Sequence, residues 1–256
     1  MVKPKKHLGQ HFLTDQYSAE RTAQLINKSS INTVLEIGPG KGILTKFLLK
    51  QPNKIIHAIE IDSESSEYLQ NNDILQKPYL IEGDFLNLNL TDQFDGEFIL
   101  IGNYPYNISS QIIFKMLGYR NRIPIMAGMF QKEVAQRIAS KEGNKTYGIL
   151  SVLVQAFYDV RIEFKLSPGA FFPPPKVDSA VICCQRKIDY SLPCSESLFF
   201  DVVKTAFNQR RKTLLNSLSK FYLKDAFINH PFAKLRPETL SVNQFIELTV
   251  FIEKHK

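Results

Sequence analysis

The chain lacks the features that would staple it, anchor it or give it a metal. Its three cysteines, Cys183, Cys184 and Cys194, are odd in number and two are adjacent, so they make no disulfide framework. Reduced, half-buried thiols are expected. There is no C-x-x-C pair and no histidine at ligand spacing, which excludes the usual zinc sites and with them the zinc deaminases; no metal is expected. No run of about 18 apolar residues occurs, so no transmembrane helix is expected. The basic start MVKPKKHLGQHFL is not followed by the apolar core of a signal peptide. These two absences lead to an expected cytoplasmic location, away from membranes. Internal repeats and low-complexity tracts are also missing, and PPP at 173–175 reads as a stiff loop rather than a linker.

What is present suffices for a folded core. With 256 residues, 44% of them apolar, one large domain or two modest ones are expected. The net charge is +7 and the pI is near 9.2, which favours a polyanionic partner. The excess is unevenly placed. From Arg186 onward there are 12 Lys+Arg against 7 Asp+Glu, while the first 185 residues are close to balance.

Residues 1–13 read as a basic arm, and residues 15–27 have helical spacing. Short apolar runs then alternate with helical stretches. VLEIG (34–38), KIIHAIEID (54–62), PYLIEGD (78–84) and EFILIGN (97–103) read as strands, with ILTKFLLK (43–50) as a helix between the first two. GILSVLVQAF (148–157) and AVICCQR (180–186) are later strand candidates. This alternation predicts an open, mostly parallel α/β sheet, whose ligands sit at the carboxyl ends of the strands. Beyond residue 187 the spacing of Leu198, Val202, Phe207, Leu214 and Leu218 is helical throughout. A first domain over 1–187 and a small all-helical domain over 188–256 are therefore expected.

The strand ends carry the candidate chemistry. Glu36-Ile-Gly38-Pro-Gly40-Lys-Gly42 follows a strand and opens a helix, where glycines let a ligand approach the backbone. It lacks the G-K-[ST] of a phosphate loop and the G-x-G-x-x-G of a dinucleotide site; a plain strand-to-helix turn is the alternative. Glu60 ends the second strand, placed to accept from both hydroxyls of a ribose, or merely a solvated acid. Asp84 ends the third, where it could accept from the exocyclic amine of a cofactor adenine. No basic residue for a diphosphate sits in the loop, which fits a cofactor without phosphates, such as S-adenosylmethionine.

Asn103-Tyr104-Pro105-Tyr106 ends the fourth strand. The N6 amine of an adenine is a poor nucleophile because its lone pair is delocalised into the ring. Two acceptors that hold its two N–H bonds turn the lone pair out of the ring plane. The Asn103 side-chain oxygen and the Pro105 carbonyl can do this, and Tyr106 can stack on the base. A plain N-x-P turn is the bland alternative. Phe171 opens a second loop, FFPPPKVDS, and could form the other wall of a base sandwich; it could equally be a core aromatic. Arg210, Arg211 and Lys212 cluster in the helical C-terminal stretch, either as a solvated helix face or as contacts to RNA phosphates.

The stretches LGQHFL (8–13), EIGPGKG (36–42), IEID (59–62), GD (83–84), GNYPYNIS (102–109), QKEVAQRI (131–138), FFPPPKVDSAV (171–181) and FNQRRKTL (207–214) make the chain resemble the KsgA-type ribosomal RNA adenine dimethyltransferases along nearly its whole length. The resemblance implies a Rossmann-like methyltransferase sheet using S-adenosylmethionine and releasing S-adenosylhomocysteine. It implies dimethylation of two adjacent adenosines near the 3′ end of small-subunit ribosomal RNA, on an immature subunit, by a protein expected to act as a monomer. Carried over by position, His11, Leu13, Gly38, Gly40, Glu60, Ile61, Asp84, Phe85 and Asn103 would contact the cofactor. Asn103, Pro105, Tyr106 and Phe171 would hold the target base. His11 and Tyr104 depart from the commoner asparagine and leucine or isoleucine. Large-subunit resistance methyltransferases and non-catalytic assembly factors are the alternatives within reach of the same motifs.

Overall fold

The computed structural model describes residues 2–222 and 224–255; Met1 of the arm, Leu223 at the end of the expected helical stretch and Lys256 lie outside it. The strands are β1 (Phe12–Leu13), β2 (Thr33–Ile37), β3 (Ile55–Glu60), β4 (Leu80–Glu82), β5 (Ile99–Asn103), β6 (Ile125–Gln131), β7 (Tyr158–Leu166), β8 (Phe171–Phe172) and β9 (Ser179–Arg186). The helices are α1 (Gln16–Gln24), α2 (Ile43–Leu48), α3 (Ser63–Asn71), α4 (Leu90–Gln93), α5 (Ser109–Gly118), α6 (Lys132–Ala139), α7 (Ile149–Phe157), α8 (Glu196–Asn208), α9 (Leu214–Ser217), α10 (Lys224–Phe227) and α11 (Val242–Lys254).

Seven strands form one sheet in the order β4-β3-β2-β5-β6-β9-β7. From β4 to β6 every pairing is parallel, and β9 then pairs antiparallel with β6. Parallel strands are covered on both faces and need nearly continuous apolar runs. Val34, Leu35 and Ile37 of β2 and Ile99, Leu100 and Ile101 of β5 meet that need, each almost fully buried. The chain runs outward from β2 to β3 and β4, then returns to the other side of β2 as β5. Strand order thus reverses between β2 and β5, the place where open α/β sheets bind ligands.

The expected strands at 34–38, 54–62, 78–84, 97–103 and 180–186 appear as β2, β3, β4, β5 and β9. Residues 148–157 do not form a strand: they fold as the helix α7, buried at Leu150–Val154, Ala156 and Phe157. A short run that is apolar apart from Ser151 and Gln155 gives little period to read, so a buried strand and a buried helix look alike. Two further strands of the sheet were unanticipated: β6, and β7, whose YDVRIEFKL alternates apolar and charged residues at the period of a strand, a signal the sequence reading passed over.

Two compact units result. One comprises Met1–Ala135 and Arg161–Arg186, the other Gln136–Val160 and Lys187–Lys256. The second unit therefore does not begin at residue 188 alone, because α7 packs with α8 and α11. Phe207 stacks on Phe245 at 5.6 Å between ring centroids and meets Tyr147 edge-on at 5.9 Å within that unit.

Candidate active site

The turn after β2 is built on left-handed glycines. Gly38 and Gly40 have φ of 64° and 56°. At Gly40 a Cβ would lie 2.8 Å from the Phe12 ring, so only glycine fits there. The Gly40 N–H donates to Glu60 Oε2 at 3.0 Å, and the Asp62 N–H donates to Glu60 Oε1 at 2.9 Å. Each carboxylate oxygen keeps a lone pair for a further donor. Burial pushes the Glu60 carboxyl above the ordinary glutamate range, opposed by those two N–H groups. Beyond β4, Asp84 is held within its own turn: Oδ1 accepts from the Leu86 N–H at 2.8 Å and Oδ2 from Asn87 Nδ2 at 2.9 Å.

At the end of β5, Asn103 Nδ2 donates to the His11 carbonyl at 2.8 Å. That bond commits the amide's donor side to the arm and leaves Oδ1 buried with no partner. Such an atom is costly unless a ligand supplies the missing donor. Tyr106 is fixed by a 2.5 Å hydrogen bond between its hydroxyl and Ser179 Oγ, and the His11 ring stacks on it at 5.3 Å. His11 Nδ1 lies 2.7 Å from the Pro173 carbonyl, so Nδ1 carries the proton and donates. Tyr104 borders the cleft, but its side chain is buried beneath it. Its ring fills space opened by Gly128, where a Cβ would come within 2.7 Å of it, and its hydroxyl donates to the Ala127 carbonyl at 2.8 Å.

These groups share one cleft. It is lined by Gly38 and Gly40, by Glu60 and Ile61, by Asp84 and Phe85, and by Asn103, Pro105 and Tyr106, with Leu8–Phe12 of the arm as a further wall. No lysine or arginine is among the described lining residues. Eight of the nine residues expected at a cofactor are thereby brought together. Gln10, which sequence reasoning passed over although it lies inside the LGQHFL motif, also lines the cleft and donates to Asp62 Oδ2 at 3.1 Å.

Residues 1–254 match the family of ribosomal RNA adenine dimethylases. The chain belongs to that family. It is 54% identical to the ribosomal RNA small subunit methyltransferase A of Flavobacterium johnsoniae, over 98% of this chain and 97% of that one. It is 52% identical to the protein of the same description from Parabacteroides distasonis, over 100% and 96%. Among solved structures, a dimethyladenosine transferase from Plasmodium falciparum superposes with a TM-score of 0.80 at 26% identity, covering 95% of this chain and 98% of that one. The 23S rRNA methyltransferase ErmE, at 22% identity and TM-score 0.66 over 92% and 98%, shares the fold.

Three expectations for the dimethylase are corrected. Leu13 and Phe171 face each other across the β1–β8 pair and are 5% and 3% exposed, in one apolar cluster with Ala19 and Val181. Phe171 is therefore a core aromatic. Its neighbour Phe172, 57% exposed, is the ring that the pleat turns outward. The third correction concerns the basic cluster. α8 ends at Asn208, so Arg210, Arg211 and Lys212 lie in the turn before α9 and not on a helix face. The next backbone N–H groups explain the break: Leu214 and Leu215 donate to the Leu235 and Ala233 carbonyls instead of to carbonyls one turn back. Arg210 is largely engaged, donating to the carbonyls of Lys145 at 3.0 Å and Asn144 at 3.4 Å. Arg211 and Lys212 are exposed. Among the described residues, no group of three or more His, Cys, Asp or Glu side chains is placed to hold a metal ion.

Proposed function

We propose that this dimethylase transfers methyl groups from S-adenosylmethionine to the N6 amines of two adjacent adenosines near the 3′ end of small-subunit (16S) ribosomal RNA during ribosome biogenesis in the cytoplasm. The observation that carries the reading is the Asn103 amide, whose Nδ2 is spent on His11 and whose Oδ1 has no donor. An acceptor held open at a strand end beside a ligand cleft suits an amine that must be gripped by its N–H bonds.

The cleft fits the cofactor by its donor set. Glu60 offers two buried carboxylate oxygens to a ribose diol, Asp84 a fixed acceptor to an adenine amine, and Ile61 and Phe85 apolar faces to its ring. A lining without lysine or arginine suits a ligand that carries no phosphate. When bound, the cofactor supplies an activated methyl group on a sulfonium. The protein's own part is orientation. Asn103 Oδ1 accepts one N–H of the target amine and the Pro105 carbonyl accepts the other, so the lone pair points out of the base plane. Tyr106, pinned by Ser179, stacks on the base, and a second wall from the proline loop would come from Phe172. Alignment of this kind can contribute roughly 7–11 kcal/mol to a two-reactant barrier.

Curated relatives with about half their residues identical over the full length are described as small-subunit methyltransferases, which supports the choice of RNA. The test is to incubate the protein with labelled S-adenosylmethionine and either unmethylated small subunits, naked RNA or large subunits. N6,N6-dimethyladenosine at two adjacent small-subunit positions is expected. Label confined to large subunits would reassign it to the resistance class, and tight binding without transfer would make it an assembly factor.

A further inference from the structure

Lys115 is a lysine of α5 that does not line the cleft, yet it organises one of the cleft's walls. The turn from Asp84 to Leu88 directs three carbonyls toward one point. The Lys115 ammonium fills it, donating to Phe85 O at 2.5 Å, to Leu86 O at 3.0 Å and to Leu88 O. All three of its N–H donors are thus matched. The same ammonium lies 4.9 Å from the centroid of the Phe85 ring, within cation–π range. Partial burial draws its pKa below the ordinary lysine value, with the nearby Asp84 charge acting the other way.

The held turn is the one that presents the adenine-binding groups. Leu86, whose carbonyl Lys115 grips, gives its N–H to Asp84 Oδ1. Phe85, also gripped, lines the cleft and is 3% exposed. Three carbonyls crowded together repel one another without a cation between them, and a relaxed turn would swing both the Asp84 carboxylate and the Phe85 ring. We propose that Lys115 is a positioning residue that sets the cofactor's adenine specificity by fixing the Asp84–Leu88 turn. This rests on the reading of Asp84 and Phe85 as the adenine site.

The full-length protein tests it by calorimetry with S-adenosylhomocysteine and with its inosine analogue, which carries an oxygen where adenine has its amine. Wild type should prefer the adenosine compound. Lys115→Met keeps the stem and removes the donors; it should weaken S-adenosylhomocysteine by about tenfold, the effect of one well-placed hydrogen bond. It should weaken the inosine analogue less, so that the preference shrinks, with RNA affinity and melting temperature held. Lys115→Arg restores charge and donors and should recover part of the preference. Asp84→Asn is the control for the site itself. If Asp84→Asn lowers the preference and Lys115→Met does not, the role of Lys115 is refuted. Equal weakening of both compounds, or a lowered melting temperature that Lys115→Arg shares, also refutes it. If Asp84→Asn changes nothing, the adenine site itself is wrong.

Discussion

Asn103 Oδ1 and Glu36 Oε2 are both buried oxygens without a donor, on the adjacent strands β5 and β2, and they answer to different demands. On the proposed reading, Asn103 Oδ1 takes its missing donor from the substrate amine. Asn103→Ala should lower kcat at saturating cofactor and RNA by about a hundredfold or more, the usual effect of deleting one preorganised polar group. RNA affinity should stay within about twofold, since phosphates dominate it. Single-turnover kinetics beside a binding titration separate the two, and near-normal turnover would remove Asn103 from the chemistry. Glu36 is answered by a proton. Burial raises its carboxyl from the ordinary 4.5 up to about 8. The fold therefore favours the protonated form: the stability linked to this group is full below its unfolded value and is lost as pH climbs through about 8. Glu36→Gln, neutral at every pH, should gain melting temperature relative to wild type as pH goes from 5 to 9. A difference that does not change with pH, measured by calorimetry, would show that Glu36 does not carry this titration.

The N-terminal arm is the element on which the site's precision depends. Lys5 pairs with Asp62 and, at 3.2 Å, with Glu64. The Lys5 N–H donates to Gln10 Oε1 at 2.8 Å, and β1 zips to β8 in antiparallel register. The arm's end delivers the His11 carbonyl that orients Asn103. Lys5→Met should loosen this strap without touching the sheet. Faster amide exchange at Phe12 and Leu13 and a lower kcat are expected, at an unchanged unfolding midpoint, since α1 and the sheet keep their own packing. Unchanged exchange would mean the strand pairing alone holds the arm. None of these contacts can be read from the arm itself, where LGQHFL marks importance but not partners: Asp62, Asn103 and Pro173 lie between 52 and 162 residues away along the chain. The strands ending in Glu60 and Asn103 were legible because parallel strands buried on both faces must be apolar runs. The helix at 149–157 was not, because burial on nearly every side leaves little period to read.

For the molecule as a whole, the basic excess after Arg186 has to be divided between structure and recognition. Arg210 belongs mainly to structure, since its guanidinium holds the Asn144 and Lys145 carbonyls inside its own unit. Arg211 and Lys212 are the exposed members of the cluster. Replacing both with glutamine should weaken ribosomal RNA binding and flatten its salt dependence by roughly 0.7–0.9 log units per log salt for each lost phosphate contact. Cofactor affinity should not change. Titrations of both ligands at several salt concentrations decide it; an unaltered slope would move the RNA-docking role to other cations, the arm lysines first.

The sequence by itself determined which residues stand at the carboxyl ends of the parallel strands. A repeating strand–helix pattern places them there whatever the details of packing, and the glycine turn, Glu60, Asp84 and Asn103 follow. Only the tertiary structure decided which way neighbouring side chains face and what their polar atoms are spent on. Phe171 and Phe172 are adjacent in a two-residue strand, and the pairing of that strand with β1 turns the first into the core and the second outward. Arg210 and Arg211 are alike in sequence, and only the loop at Asn144–Lys145, brought close by folding, consumes one guanidinium. Asn103 could present either end of its amide, and it is a carbonyl 92 residues away that fixes which end remains open. Such choices depend on long-range contacts, and local sequence carries no record of them.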